Sequence, residues 1–144
     1  WKKKMNKRVN EKIEEIEQYL AELIDIFPET LQEYKRNKLV KAACERYVEK
    51  IMEAVTDLSF ILISIKKLEL PQDDIDSFRI LFDNKIINKS LYAKLKAAKG
   101  MRNVIAHQYG SVNDEIVFDS IKDELEEDVR TFLRELKKLN DSAI

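Results

Sequence analysis

Glycine, proline, cysteine and histidine are all scarce in this chain of 144 residues: two, two, one and one. So little glycine and proline leaves few tight turns, which argues against a sheet protein built from many hairpins and for helices joined by short loops. Cys44 stands alone, so an internal disulfide and a cysteine-based zinc site are both excluded. A single imidazole, His107, leaves no conventional histidine-rich metal site. No apolar run approaches the roughly 20 residues of a membrane span, and no signal-peptide pattern opens the chain, so the expectation is a cytoplasmic protein without a membrane partner. Charge of one sign is also missing overall. With 26 basic and 27 acidic residues the net charge is −1, so any contact with nucleic acid must be local.

What is present is Lys, Glu, Ile and Leu, with 37% of residues charged. The length suits one domain with a single core, spanning residues 1–144. Trp1-Lys2-Lys3-Lys4, ahead of Met5, reads as an expression remnant or as a sign that the natural start lies elsewhere, and carries no weight in the fold argument. The fold class expected is all-α, an up-and-down bundle of about four to five helices.

Periodicity places the helices. Ile13, Ile16, Leu20, Leu23 and Phe27 give the three/four spacing of a helix from about Lys7 to Ile26, ended by Pro28. Thr30 and Glu33 have the spacing of a capping box. A long second helix is expected from Leu31 to Leu68, with a break near Arg36-Asn37. Tyr47, Val48, Ile51, Val55, Leu58, Ile61, Leu62 and Ile65 form its apolar face, and Pro71 closes it. Asp73 and Asp74 suit the start of a short helix carrying Ile75, Phe78, Leu81 and Phe82 inward. Asn88 caps a fourth helix, and a last one runs from about Asp114 to Asn140 on a seam of Phe118, Ile121, Leu125, Phe132, Leu136 and Leu139. Residues 85–110 contain no acidic side chain but carry Lys85, Lys89, Lys94, Lys96, Lys99 and Arg102. This is either a solvated helix face or a guide for a phosphate-bearing ligand. The last helix is acidic around its seam, and either neutralises the basic helix or docks a basic partner.

Both glycines, Gly100 and Gly110, bracket the histidine in Lys99-Gly100-Met101-Arg102-Asn103-Val104-Ile105-Ala106-His107-Gln108-Tyr109-Gly110. As a helix, this region puts Leu91, Leu95, Ala98, Arg102, Ile105 and Tyr109 on one stripe. Arg102 occupies an apolar position on it, and a guanidinium cannot shed its charge. Left buried and unpaired it would cost several kcal/mol, so either a carboxylate meets it or the stripe opens into a cleft or interface. Glu53 and Asp57, one turn apart on the second helix, are the candidate partners, unless both are simply solvated. A second stripe, Ala93, Ala97, Gly100, Val104 and His107, is small until the imidazole, and predicts another helix converging there. Taken singly, a lone His is more often a cap, a lone Arg a snorkelling side chain and a lone Tyr core. Together they form Arg-x4-His-x-Tyr.

Arg102 to Tyr109 resembles the signature of the HEPN superfamily, and Tyr109 points to its HepT-like toxin branch. Asn103, polar and directly after the arginine, matches as well. Cys44-Glu45-Arg46-Tyr47, followed by Glu53 and Asp57, and the segment from Val112 to Leu139 are similar to the same branch, so most of the chain is covered. Met101 departs from the aromatic residue more usual there. The resemblance implies a metal-independent endoribonuclease without cofactor, with Arg102 and His107 catalytic and Asn103 supporting. On an ideal helix the two lie about 140° and 7.5 Å apart. They converge on one phosphate only if the helix unwinds near Gly110 or if two subunits each supply one group. The resemblance implies the latter, a composite site in a homodimer. Histidine, whose ordinary pKa is about 6.5, suits proton transfer at a ribose 2′-OH or leaving oxygen. Arg102 would hold the phosphate. The resemblance further implies a minimal nucleotidyltransferase antitoxin that AMPylates Tyr109. The competing expectation is a non-catalytic helical protein, a nucleotide-binding or scaffold partner of a nucleotidyltransferase.

Overall fold

The computed structural model describes residues 2–107 and 112–142, with side chains for 7–107 and 112–139. Every regular element among the described residues is helical. In chain order these are α1 (Lys2–Ile26), α2 (Leu31–Arg36), α3 (Lys38–Ile65), α4 (Asp74–Asp83), α5 (Lys89–His107), α6 (Asp114–Ser120), a π-helical turn at Ile121–Leu125, and α7 (Glu126–Ser142). The first helix begins earlier than its apolar spacing requires, at Lys2 rather than near Lys7.

Boundaries follow from capping chemistry. Thr30 Oγ1 accepts the Glu33 N–H at 3.2 Å to start α2. Asn37 then breaks the long segment: its extended backbone ends α2, while its side chain accepts the Val40 N–H at 3.1 Å to open α3. Asp73 caps α4 through the Asp76 N–H at 2.7 Å, Asn88 caps α5 through the Leu91 N–H at 2.8 Å, and Asn113 caps α6 through the Ile116 N–H at 3.1 Å. α3 stops at Ile65, short of the expected Leu68, where Lys67 turns to φ 54°.

α3 is the central rod, with α1 on one side and α4 and α5 on another; α7 closes against α1 and α5. Its buried residues include Val48, Ile51, Met52, Val55, Leu58 and Leu62, which share one core with Ile16, Leu20 and Leu23 of α1 and Phe132 and Leu136 of α7. At one end Phe27 stacks on Phe118 with ring centroids 4.9 Å apart, and Tyr34 leans on both. At the other, Phe82 stacks on Tyr92 at 5.5 Å, tying α4 to α5. Cys44 lies in the core, and burial pushes its thiol up to about 11.

The last helix departs from the sequence reading at its middle. The π turn inserts a wider coil between α6 and α7, so Val117, Phe118, Ile121 and Leu125 stay inward and Val129, Phe132, Leu133 and Leu136 resume the same face. Its acidic residues are divided. Asp114 pairs with Lys41 of α3 at 2.7 Å. Asp128 is buried and its carboxyl is raised by desolvation, with Lys94 of α5 opposing the shift. None of the helices described is long and apolar enough to cross a membrane.

Candidate active site

α5 carries the site because its two faces differ. Leu91 and Leu95 are buried against the bundle, and the same stripe continues through half-buried Ala98, Arg102 and Ile105. The guanidinium of Arg102 has an anion: its Nη2 donates to Glu53 Oε1 at 2.9 Å. Glu53 also lies 3.8 Å from Arg46 Nη1, which reaches Glu49 at 3.3 Å. Two guanidinium groups therefore share one carboxylate, and Arg46 joins the site indirectly, a link that sequence spacing did not suggest. Asp57, the other candidate, does not meet Arg102. It is exposed and lies 3.6 Å from Lys12 of α1, because α3 turns that end of its stripe toward α1.

Arg102 retains unspent donors. Nη1 makes only a 3.4 Å contact with Asn103 Oδ1, and Nε is buried with no hydrogen-bond partner. A buried N–H without an acceptor costs on the order of 1–3 kcal/mol, and a group left so beside an open groove is available to a ligand oxygen. The groove is lined by Asp73, Asp74 and Ile75 from the start of α4 and by Lys99, Arg102, Asn103 and His107 from α5, and encloses about 410 Å³. His107 closes the described part of α5, exposed and without a partner among the described residues. α5 remains helical through His107, so over that span it does not unwind to bring the two groups together. Tyr109 and Gly110 lie outside the described residues.

Two expectations about α5 are narrowed. Among the described residues, no other helix packs against the small stripe. Ala93, Ala97 and Val104 are exposed, and a Cβ placed on Gly100 would find nothing within 4 Å, because α5 spends its contacts with α3, α4 and α7 on its other side. The basic face is also not wholly solvated. Lys99 is 5% exposed in its side chain and its Nζ lies 2.9 Å from Asp74 Oδ2. No group of three His, Cys, Asp or Glu side chains among the described residues is placed to hold a metal ion.

The family model described as "Ribonuclease HepT-like" matches residues 12–136, nearly the whole bundle and all of the groove. The chain belongs to the ribonuclease HepT-like family. Among curated proteins, it is similar to the "mRNA nuclease HepT" of Shewanella oneidensis, 26% identical over 123 residues, which cover 85% of this chain and 92% of that one. Among solved structures, it is similar to a tri-AMPylated Shewanella oneidensis HEPN toxin in complex with an MNT antitoxin, at 25% identity and a TM-score of 0.84, covering 90% of this chain and 96% of that one. The cytosolic protein YutE of Bacillus subtilis shares the fold at 17% identity, with a TM-score of 0.80 over 95% of this chain and 92% of its own. The HepT-like fold is thus all-helical, as the turn-poor composition and three/four spacing implied.

Proposed function

We propose that this HepT-like protein is the toxin of a toxin–antitoxin pair, a metal-independent endoribonuclease whose site is built from Arg102 and His107 in a homodimer. The observation that carries the reading is a single open groove that collects Arg102, Asn103 and His107, with a buried Nε on Arg102 lacking an acceptor. In the reaction, His107 removes the proton of a ribose 2′-OH or delivers one to the leaving oxygen. Arg102 donates to the phosphate oxygens as charge builds on them, and Asn103 adds a further donor. The exposed face of Ala93, Ala97, Gly100 and Val104 beside His107 offers a second copy a surface of low relief. Pairing there sets Arg102 of one copy beside His107 of the other. The substrate is cytoplasmic RNA, in keeping with the nuclease name of the Shewanella relative.

Expression tests this directly. The wild type arrests bacterial growth, whereas Arg102→Ala and His107→Ala are tolerated. Equal tolerance of all three replaces the nuclease with the second reading, a helical scaffold or nucleotide-binding partner of a nucleotidyltransferase.

The same proposal assigns Tyr109 as the point of control. A related toxin is AMPylated and bound to an MNT antitoxin. Here a minimal nucleotidyltransferase antitoxin transfers AMP from ATP to the Tyr109 phenol, two residues beyond His107. The phenol oxygen loses its proton and bonds to the α-phosphorus as the α–β anhydride bond breaks and pyrophosphate leaves. The bulky anion occupies the groove that RNA needs. Tyr109→Phe accordingly keeps nuclease activity and escapes the antitoxin. Intact mass after co-expression decides the assignment: an AMP increment that persists in Tyr109→Phe refutes it.

A further inference from the structure

Lys99 is the most deeply buried cation described near the groove, and Arg102 and His107 do not account for it. Its side chain is 5% exposed, against 49% for its partner Asp74, and both residues line the groove. Stability is a poor reason for its presence. Pairing a buried ammonium with a carboxylate returns little net free energy, and an apolar side chain of similar size often serves as well or better. Nor does Asp74 need it, since a carboxylate in the first turn of α4 is already favoured by the helix dipole. An ammonium has three donors, and the contact with Asp74 uses one. Along α5, Lys99 precedes Arg102 by three positions, about 4.5 Å of axial rise and 60° of rotation. The two cations therefore stand in file along the same groove wall, within reach of successive phosphates on one strand.

We infer that Lys99 is a second phosphate-binding residue of this groove, holding the RNA phosphate adjacent to the scissile one, and that Asp74 is the place-holding anion which that phosphate displaces. This rests on the nuclease reading above and extends it to the length of strand the site grips. A nucleic-acid phosphodiester presents one negative charge on two non-bridging oxygens, as the carboxylate does, and so can take its place at the Lys99 ammonium through a charge-assisted hydrogen bond.

Binding of a 2′-O-methyl RNA hexamer, which lacks the attacking hydroxyl, tests the inference on the full chain over a range of salt. Each phosphate contact on a single strand contributes about 0.7 to the slope of log K against log salt. Lys99→Met lowers that slope by about 0.7 and weakens binding at low salt roughly tenfold. Lys99→Arg keeps the slope. Asp74→Asn, which removes the competing anion, tightens binding roughly threefold. A pair serving only to join α4 to α5 predicts the opposite pattern, with thermal stability lowered in both variants and the slope unchanged. An unchanged slope in Lys99→Met, or weaker binding in Asp74→Asn, overturns the inference. Should Lys99→Met fail to fold, Lys99→Gln and Asp74→Asn give the same decision. Arg102→Ala separates the two levels. If it binds the hexamer as the wild type does, the nuclease site is misplaced and Lys99 falls with it. If the wild type cleaves RNA and Arg102→Ala loses binding while Lys99→Met does not, only the role of Lys99 falls.

Discussion

His107→Ala lowers the rate of RNA cleavage by about 10²- to 10⁴-fold, the usual contribution of a positioned acid or base, while its unfolding free energy stays within roughly 0.5 kcal/mol of the wild type. The combination follows from placement. His107 ends the described part of α5 on an exposed face, so its removal opens no cavity and strands no partner among the described residues. Cleavage of a fluorogenic RNA by purified variants, read beside their thermal unfolding, gives both quantities. A His107→Ala variant that cleaves within threefold of the wild-type rate removes the imidazole from the chemistry.

Arg102→Ala loses activity of similar order, about 10²- to 10³-fold, as expected for a donor aimed at developing phosphate charge. Its structural consequence differs. Arg102 is 19% exposed and ion-paired to Glu53, whereas Glu53 is 43% exposed and stays 3.8 Å from Arg46. The carboxylate is therefore not abandoned in the interior, and the loss of the pair costs about 1 kcal/mol or less. Arg102→Lys discriminates further. It retains charge but not the planar fork, and a lysine cannot donate to Glu53 and to phosphate oxygens in the same fixed geometry. It recovers only a small part of the lost rate. Full activity in Arg102→Lys would mean that charge alone suffices.

Much of this architecture was legible in the amino-acid order. The break at Asn37 could be read because an amide side chain after a charged, glycine-free run is a cap in waiting, and Asn88 and Thr30 announced themselves likewise. Arg102 stood out because it interrupts a stripe otherwise made for burial. The choice between Glu53 and Asp57 was not legible. The two are one turn apart on the same face of α3, and only the crossing of α5 over one and α1 over the other separates them. Lys99 was hidden for a related reason: its partner belongs to another helix, and from periodicity alone it was one more surface lysine. The π turn at Ile121–Leu125 left no mark either, since each of its residues suits an ordinary helix. Gly100 was half legible. Its lack of a side chain suggested a neighbour pressed against it, and among the described residues the space beside it is open.

Mixing two inactive variants tests the composite site most directly. Arg102→Ala and His107→Ala, co-refolded or exchanged in equal amounts, form mixed dimers in about half of the cases, and each mixed dimer contains one intact Arg102–His107 pair across the two-fold axis. RNA cleavage then returns to about a quarter of the wild-type rate, although neither variant cleaves alone. If the mixture stays as inactive as its components under conditions where subunits demonstrably exchange, the two groups do not meet across paired copies and the account of the site is wrong.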